Sequence, residues 1–436
     1  MNGGAGLWLR PFAFDRAGAL WHRRQPMSDT PAPSANALHY RPYVFYLLAV
    51  GLAGFAVQIM SVSVGWQIYD ISRNPADLGL AGLVQFLPPL LLVLVTGLAA
   101  DRFSRRAIMA LCMALEVACA AALFFFTASA PTVVWPIFAV LAALGVARAF
   151  LNPAADALAP NLLPREAIAH GISLSSMTWQ AGTIMGPVLG GLLYGLSGLV
   201  AYGTAAVLIA LAVVSVLLIG PVARGAARKE PPTLDTLFAG FRFIRSEKIV
   251  LGAISLDLFA VLLGGAVALM PVYARDILHA GPLGLGLLRA APGIGALVVA
   301  LYLARHGIRD RAGHVLFIFV ALFGFFTVVF GLSRSIPLSI FALMLMGACD
   351  MVSVYVRETL MQLWTPDEVR GRVTAVNRVF IGASNELGEF RAGFAAAAVG
   401  AVAAVVMGGV GTMAVAGLWA RWFPGLREAR RLDGRG

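Results

Sequence analysis

Nine ionisable residues fall where the chain is otherwise apolar: Glu116, Arg148, Asp257, Arg289, Asp350, Arg378, Glu386, Glu389 and Arg391. A charge in such a stretch is costly unless it faces a partner, a cavity or a translocation path. A carboxyl group there can take up and release a proton, whereas a guanidinium stays charged and holds an anion or a carboxylate. Asp257, near the middle of its stretch, is the favoured proton carrier. Arg148, Asp350 and Glu116 are the next candidates for proton coupling or a cavity lining. The alternative is that these residues form buried structural ion pairs. That alternative is favoured for Glu386, Glu389 and Arg391, which can balance their own charge at helical spacing. Gln58, Trp66, Gln67 and Trp179 are expected to line a cavity, because amide and aromatic groups suit an amphipathic ligand.

The elements that must hold these residues are membrane helices. Of 436 residues, 59% are hydrophobic and 13% are charged, against about 25% charged in an average soluble chain. Apolar runs long enough to cross about 30 Å of hydrocarbon recur along the chain. A spanning segment without partners must satisfy its own backbone, which makes it helical. The short alternating stretches of a β-barrel are not seen. Twelve spans are expected, at about 43–69, 78–100, 107–129, 133–155, 168–194, 199–222, 249–273, 285–305, 314–333, 337–359, 373–397 and 398–421. Between the last two no polar turn is visible.

The chain holds 33 Lys+Arg against 22 Asp+Glu, a net charge of +11. This does not point to nucleic acid. Nearly all the basic residues lie in the tails and alternate loops of one side. The opposite loops hold only Arg73, Arg275 and Arg334. Such a bias places both termini in the cytoplasm and requires an even number of spans. Residues 1–40 read as a disordered cytoplasmic tail, since Arg10, Arg16, Arg23 and Arg24 interrupt any signal-peptide core. The three cysteines, Cys112, Cys119 and Cys349, read as small packing residues in apolar helices. No metal site, cofactor site or disulfide framework is expected.

The longest loop, residues 223–248, separates a first half (41–222) from a second (249–421), and residues 422–436 form a second cytoplasmic tail. Within that loop, Thr236 to Ser246 spaces apolar residues helically beside Arg242 and Arg245. A helix lying on the membrane surface and a plain linker both remain open. The halves repeat. One ungapped shift of 202 residues aligns Gly145 with Gly347, Gly186 with Gly388, Gly191 with Gly393, and Arg148 with Asp350. Parallel repeats of this kind place a ligand site between two halves that rock. Arg148 and Asp350 are expected to meet across it.

Two motifs carry mechanism. The first runs from Gly97 through Asp101 and Arg102 to Arg105 and Arg106, after the second span. Asp101 can cap a helix N-terminus in the other half. Arg105 or Arg106 can pair with Asp156, at the end of the fourth span. Such contacts would form a cytoplasmic gate; the alternative is a basic loop that sets topology alone. The second is Gly182, Gly186, Pro187, Gly190 and Gly191 in the fifth span. Its glycines allow close helix approach and its proline removes a backbone hydrogen bond.

The first motif resembles the signature of the major facilitator superfamily, with Ser104 in place of the usual second glycine. The second resembles the antiporter motif of that superfamily's drug-export branches. Trp66 to Asp70, Leu269 to Asp276, Gly284 to Pro292 and Pro366 to Val373 extend the likeness. Over about residues 41 to 421 the chain is similar to bacterial exporters of the transmembrane secretion effector family, and this pattern begins only after Met27, an alternative start. The resemblance implies an all-α membrane protein of twelve transmembrane helices in two pseudo-symmetric six-helix bundles. It implies that spans 1, 4, 7 and 10 line the central cavity, which brings Arg148, Asp257 and Asp350 forward. It also implies proton-driven efflux of a siderophore, drug or secondary metabolite from the bacterial inner membrane. The expected partners are the lipid bilayer, a small-molecule substrate and protons, with the protein acting as a monomer.

Uptake or uniport by the same fold is the rival reading. A non-transporting membrane sensor or assembly partner is the rival from another class. No Walker A loop, H-E-x-x-H or G-x-S-x-G sequence occurs, so the chain is not expected to be an enzyme.

Overall fold

In hydrocarbon each unmade backbone hydrogen bond is costly, and the long apolar runs among the described residues are helical, the seventh with a break. The computed structural model describes residues 35–221, 234–308 and 311–428. The alternative start at Met27, the first part of the loop between the halves, most of the N-terminal tail and the end of the C-terminal tail lie outside the described residues.

The first half comprises α1 (Arg41–Ser72), α2 (Pro75–Arg102), α3 (Arg105–Ala128), α4 (Trp135–Leu158), α5 (Ile168–Leu196) and α6 (Gly198–Leu218). After a short helix, α7 (Leu234–Ser246), the second half comprises α8 (Lys248–Gly264), α9 (Gly281–His306), α10 (Ala312–Leu332), α11 (Ile336–Trp364), α12 (Asp367–Val399) and α13 (Ala401–Trp422). Ten of these helices, α8 together with its short continuation to Ile277, are long and apolar enough to cross a membrane by themselves. The remaining two long helices, α5 and α12, are richer in polar residues and glycine. They lie inside the bundle, α5 between α1 and α9, α12 between α2 and α8. The outer faces stay apolar: Leu111 is 73% exposed and Phe125 70%, as lipid contact requires.

The two halves are built alike. α1 packs on α5 and α6 as α8 packs on α12 and α13; α2 meets α4 as α9 meets α11; α3 meets α6 as α10 meets α13. The paired glycines make equivalent contacts. Gly145 of α4 lies against the Gln85 carbonyl of α2, and its mate Gly347 of α11 against the Pro292 carbonyl of α9. Gly186 of α5 abuts Gln58 of α1; Gly388 of α12 abuts Val261 and Leu262 of α8. Across the halves, Gly191 of α5 faces Gly286 of α9, and Gly393 of α12 faces Gly79 of α2. A Cβ on Gly393 would stand 2.8 Å from the Gly79 Cα. Small residues at these crossings let the backbones approach.

Two departures from the sequence expectation have physical causes. The seventh span is not one helix. Gly265, at φ 39°, ends α8; a short 3-10 turn, Ala266–Leu269, and a π turn, Tyr273–Ile277, complete the crossing. A Cβ on Gly265 would come within 2.7 Å of the Gly388 carbonyl, so the left-handed residue sits where α12 leaves no room. The last two spans are divided by Gly400 alone, at φ 89°, which is why no polar turn marks the boundary. The linker segment forms a helix, α7, seated on α12: Ile244 packs among Val250, Ile254, Met361, Val373 and Val376.

Candidate functional site

A cavity of about 330 Å³ lies between the halves. The first half supplies Ser61 and Gly65 from α1, Gly82 and Gln85 from α2, and Arg148 and Asn152 from α4. The second supplies Val267 and Ala268 from the interrupted span, Arg289 from α9, and Glu386 and Glu389 from α12. Its charged walls are therefore Arg148 and Arg289 against Glu386 and Glu389. Arg289 donates through Nη1 to the Ser61 hydroxyl at 2.6 Å, across the halves. Gly65 makes space for it: a Cβ there would lie 3.3 Å from Arg289 Nη2.

Arg148 and Asn152 also border a second cavity, of about 270 Å³, within the first half. Glu116 reaches its wall from α3. It is 1% exposed and lies 3.8 Å from Arg148 Nε. Gln58, Trp179 and Gly182 line the same space.

Several expected residues fall elsewhere. Arg148 does not meet Asp350. Its partner is Glu116, while Asp350 shares a small pocket inside the second half with Asp257 and Ser353. Asp257 is ion-paired to Arg357 of α11, with both side chains nearly inaccessible. The two are on α8 and α11, so this pair ties one half together and lies off the central cavity. Gln67 is not a cavity residue either: it donates to Thr127 Oγ1 at 3.0 Å and accepts from the Tyr202 hydroxyl at 2.7 Å. Trp66 lies beneath the Arg275 guanidinium, 5.4 Å from ring centroid to Cζ. The charges on α12 do not balance one another. Arg391 donates through Nε to the Leu262 carbonyl at 2.9 Å, and also to that of Leu263. These are carbonyls at the broken end of α8, where the helix leaves acceptors unused. Glu386 and Glu389 face the cavity instead.

The face opposite the termini is closed by charges drawn from both halves. At the end of α1, Asp70 pairs with Arg275, Arg73 lies 3.6 Å from Asp276, and the Tyr69 hydroxyl donates to Asp276. On the face that carries the described ends of the chain, an exposed ion pair spans the halves. Asp156 lies 3.7 Å from Arg378 across the halves, each side chain 75% exposed. Neither Arg105 nor Arg106 reaches Asp156, since backbone carbonyls are nearer acceptors. Arg105 donates to the Ala157 carbonyl at 2.8 Å, and Arg106 to Val216 and Leu217 of α6. Ser104 accepts from the Ala107 amide and caps α3. Gly97, Asp101 and Arg102 lie on the last turns of α2, and the Asp101 side chain is outside the described residues. In α5, Gly190 abuts Ile59, and Gly191 and Pro187 face Gly286 of α9. The motif thus seats α5 on one helix of each half.

The repeated helix bundles define a multi-pass membrane protein of the major facilitator fold. The chain belongs to the transmembrane secretion effector family, whose pattern it matches over residues 39–432. It is 28% identical over 260 residues to the enterobactin exporter EntS of Citrobacter koseri, a match covering 59% of this chain and 58% of that one. EntS of Escherichia coli O81 is 27% identical over the same share. The match therefore spans less than two thirds of these relatives. Among solved structures, a bacterial homologue of the human lysosomal transporter Spinster, inward-facing and unoccupied, aligns with a TM-score of 0.71 at 16% identity, covering 89% of this chain and 98% of that one. The nucleoside transporter NupG aligns at 0.68 with 15% identity, covering 88% and 99%. At such identities the likeness is one of fold.

Proposed function

We propose that this protein is a secondary-active exporter that moves a small amphipathic molecule, a siderophore, drug or secondary metabolite, out across the bacterial inner membrane in exchange for protons. The observation that carries the reading is the charged cavity of about 330 Å³ with walls from both halves. A cavity so placed changes sides when the halves rock. The family match and the exporter relatives support the outward direction. With the basic side in the cytoplasm, the Asp70–Arg275 network is an outer gate and the Asp156–Arg378 pair belongs to an inner one. Asp101 with Arg102, Arg105 and Arg106 completes the inner gate in this reading. The protein works as a monomer, each copy holding a whole cavity.

Proton coupling has a conformational arm in the second half. A proton taken by Asp257 would release Arg357 and loosen α8 against α11, with Asp350 beside them. The test is inverted vesicles, acidified inside, given a panel of siderophores and amphipathic drugs. Alkalinisation of the lumen that depends on one compound establishes exchange and names a substrate. Silence across the panel with folded protein rejects proton-coupled export of these classes and favours uniport.

A further inference from the structure

The central cavity and its neighbour hold three acids and two bases. Glu386 and Glu389 stand about one turn apart on α12 and converge on one point. A Cβ on Gly82 of α2 would lie 2.8 Å from Glu386 Oε2 and 3.4 Å from Glu389 Oε2. Among the described residues neither carboxylate has an ion pair. Glu116, the third acid, is 1% exposed beside the adjoining cavity, and neither of its oxygens is hydrogen-bonded. Against them stand Arg148, 3.8 Å from Glu116, and Arg289, bonded to Ser61.

Among the described residues no other base lines either cavity. Arg391, on α12 itself, is engaged by the carbonyls of Leu262 and Leu263. On α8, Asp257 is matched by Arg357. On α2 the described charged side chains, Asp77 and Arg102, lie at its two ends. The rest of the cavity wall includes Met60, Val64, Ile68, Phe86, Leu141 and Leu144. An uncompensated carboxylate is strongly disfavoured in such surroundings. One acid of the pair must keep a proton or be matched by a cation brought in with the ligand.

We infer that Glu386 and Glu389 form the ligand-binding and proton-exchanging site for a protonated amine or other organic cation. The exchange balances: one cationic group enters, one proton leaves a carboxyl, and the charge of the cavity is unchanged. Proton and ligand then compete for one site, which is itself a means of obligatory exchange. Ligand anions are the poorer fit, because each guanidinium already faces a carboxylate or a hydroxyl. The inference deepens the export reading, from which it takes the ligand's path, yet it is decided by binding alone.

The probes are tetraphenylphosphonium and benzyltrimethylammonium, cations without a titratable proton, and tetraphenylborate, an anion of matching shape. Each is added to purified protein in nanodiscs at low buffer strength, and bound probe and released protons are measured from acid to neutral pH. The expected result is cation binding that releases close to one proton and tightens about tenfold per pH unit while the pair is protonated. E386Q and E389Q should each weaken it about tenfold or more, the weight of one charge-assisted contact, and flatten its pH dependence. Cation binding without proton release, equal binding of the borate, or no binding of either cation to folded wild-type protein would overturn the proposal. The proton count uses wild-type protein, so an unstable variant does not void the test. Transport of some other compound in vesicles with no cation bound would leave export standing and sink this site. Cation binding without transport would do the reverse.

Discussion

At the scale of single residues, the pairing of buried charges separates roles that composition alone leaves together. Asp257 and Arg357 are matched inside the second half. Removing one leaves the other buried and alone, which costs about 3–5 kcal/mol, whereas replacing both by apolar groups can be nearly neutral. Arg357→Met should therefore lower the thermal unfolding temperature sharply, and Asp257→Asn with Arg357→Met should regain most of the loss. Asp257→Asn alone keeps a hydrogen-bonding partner of the same shape, while leaving Arg357 without its counter-charge, so it should also lower the unfolding temperature, less than Arg357→Met does. It should insert and bind ligand but lose the conformational arm of coupling, so that transport in vesicles responds less steeply to the proton gradient; an unchanged response in that variant would remove Asp257 from the mechanism. The residue scale is also where the sequence misleads. Glu386, Glu389 and Arg391 read as one balanced cluster, but Glu389 and Arg391 lie two residues apart, about 200° around a helix. That angle was available in the sequence and sends the arginine to the Leu262 and Leu263 carbonyls. The partners of Arg148 were not, because nothing along the chain says that α3 and not α11 presents its carboxylate to it.

At the scale of elements, glycine spacing was the informative signal. The mates Gly145 and Gly347, Gly186 and Gly388, Gly191 and Gly393 each sit at equivalent helix crossings. A purely lipid-facing glycine would have no such counterpart. What the pattern could not convey was the break in the seventh span, since Gly264 and Gly265 are followed by residues as apolar as those before. The break depends on α12 crowding Gly265 from outside its own helix. Gly191→Leu should wedge α5 from α9, and Gly79→Leu should wedge α2 from α12. Each is expected to cost about 1–3 kcal/mol as overpacking. Transport in vesicles should fall further than thermal stability does, because the proposed rocking would have to move the halves past each other at these close contacts.

At the scale of the whole molecule, one face is shut by a charge network drawn from both halves. Asp70, Arg73, Arg275 and Asp276 bridge the halves on the face away from the termini. Asp70→Ala or Arg275→Ala should raise the population open to the outside. A cysteine in place of Ser61, on the cavity wall, reports this as faster labelling by an impermeant maleimide in intact cells. The exchanged pair, Asp70→Arg with Arg275→Asp, should slow it again. Labelling unchanged in both single variants would mean that the network decorates the gate without holding it.

The seat of α7 on α12 has a consequence for how the chain is divided. The segment between the bundles is not shared evenly. From Leu234 onward it is part of the second bundle, with Ile244 buried beside Val373 and Val376. α7 therefore belongs with the second bundle. Two separately expressed fragments parted before Leu234 should find each other in the membrane and rebuild an active protein. Fragments parted after Ser246 would strand α7 on the wrong piece, and the second bundle would lose the helix that covers the base of its own α12.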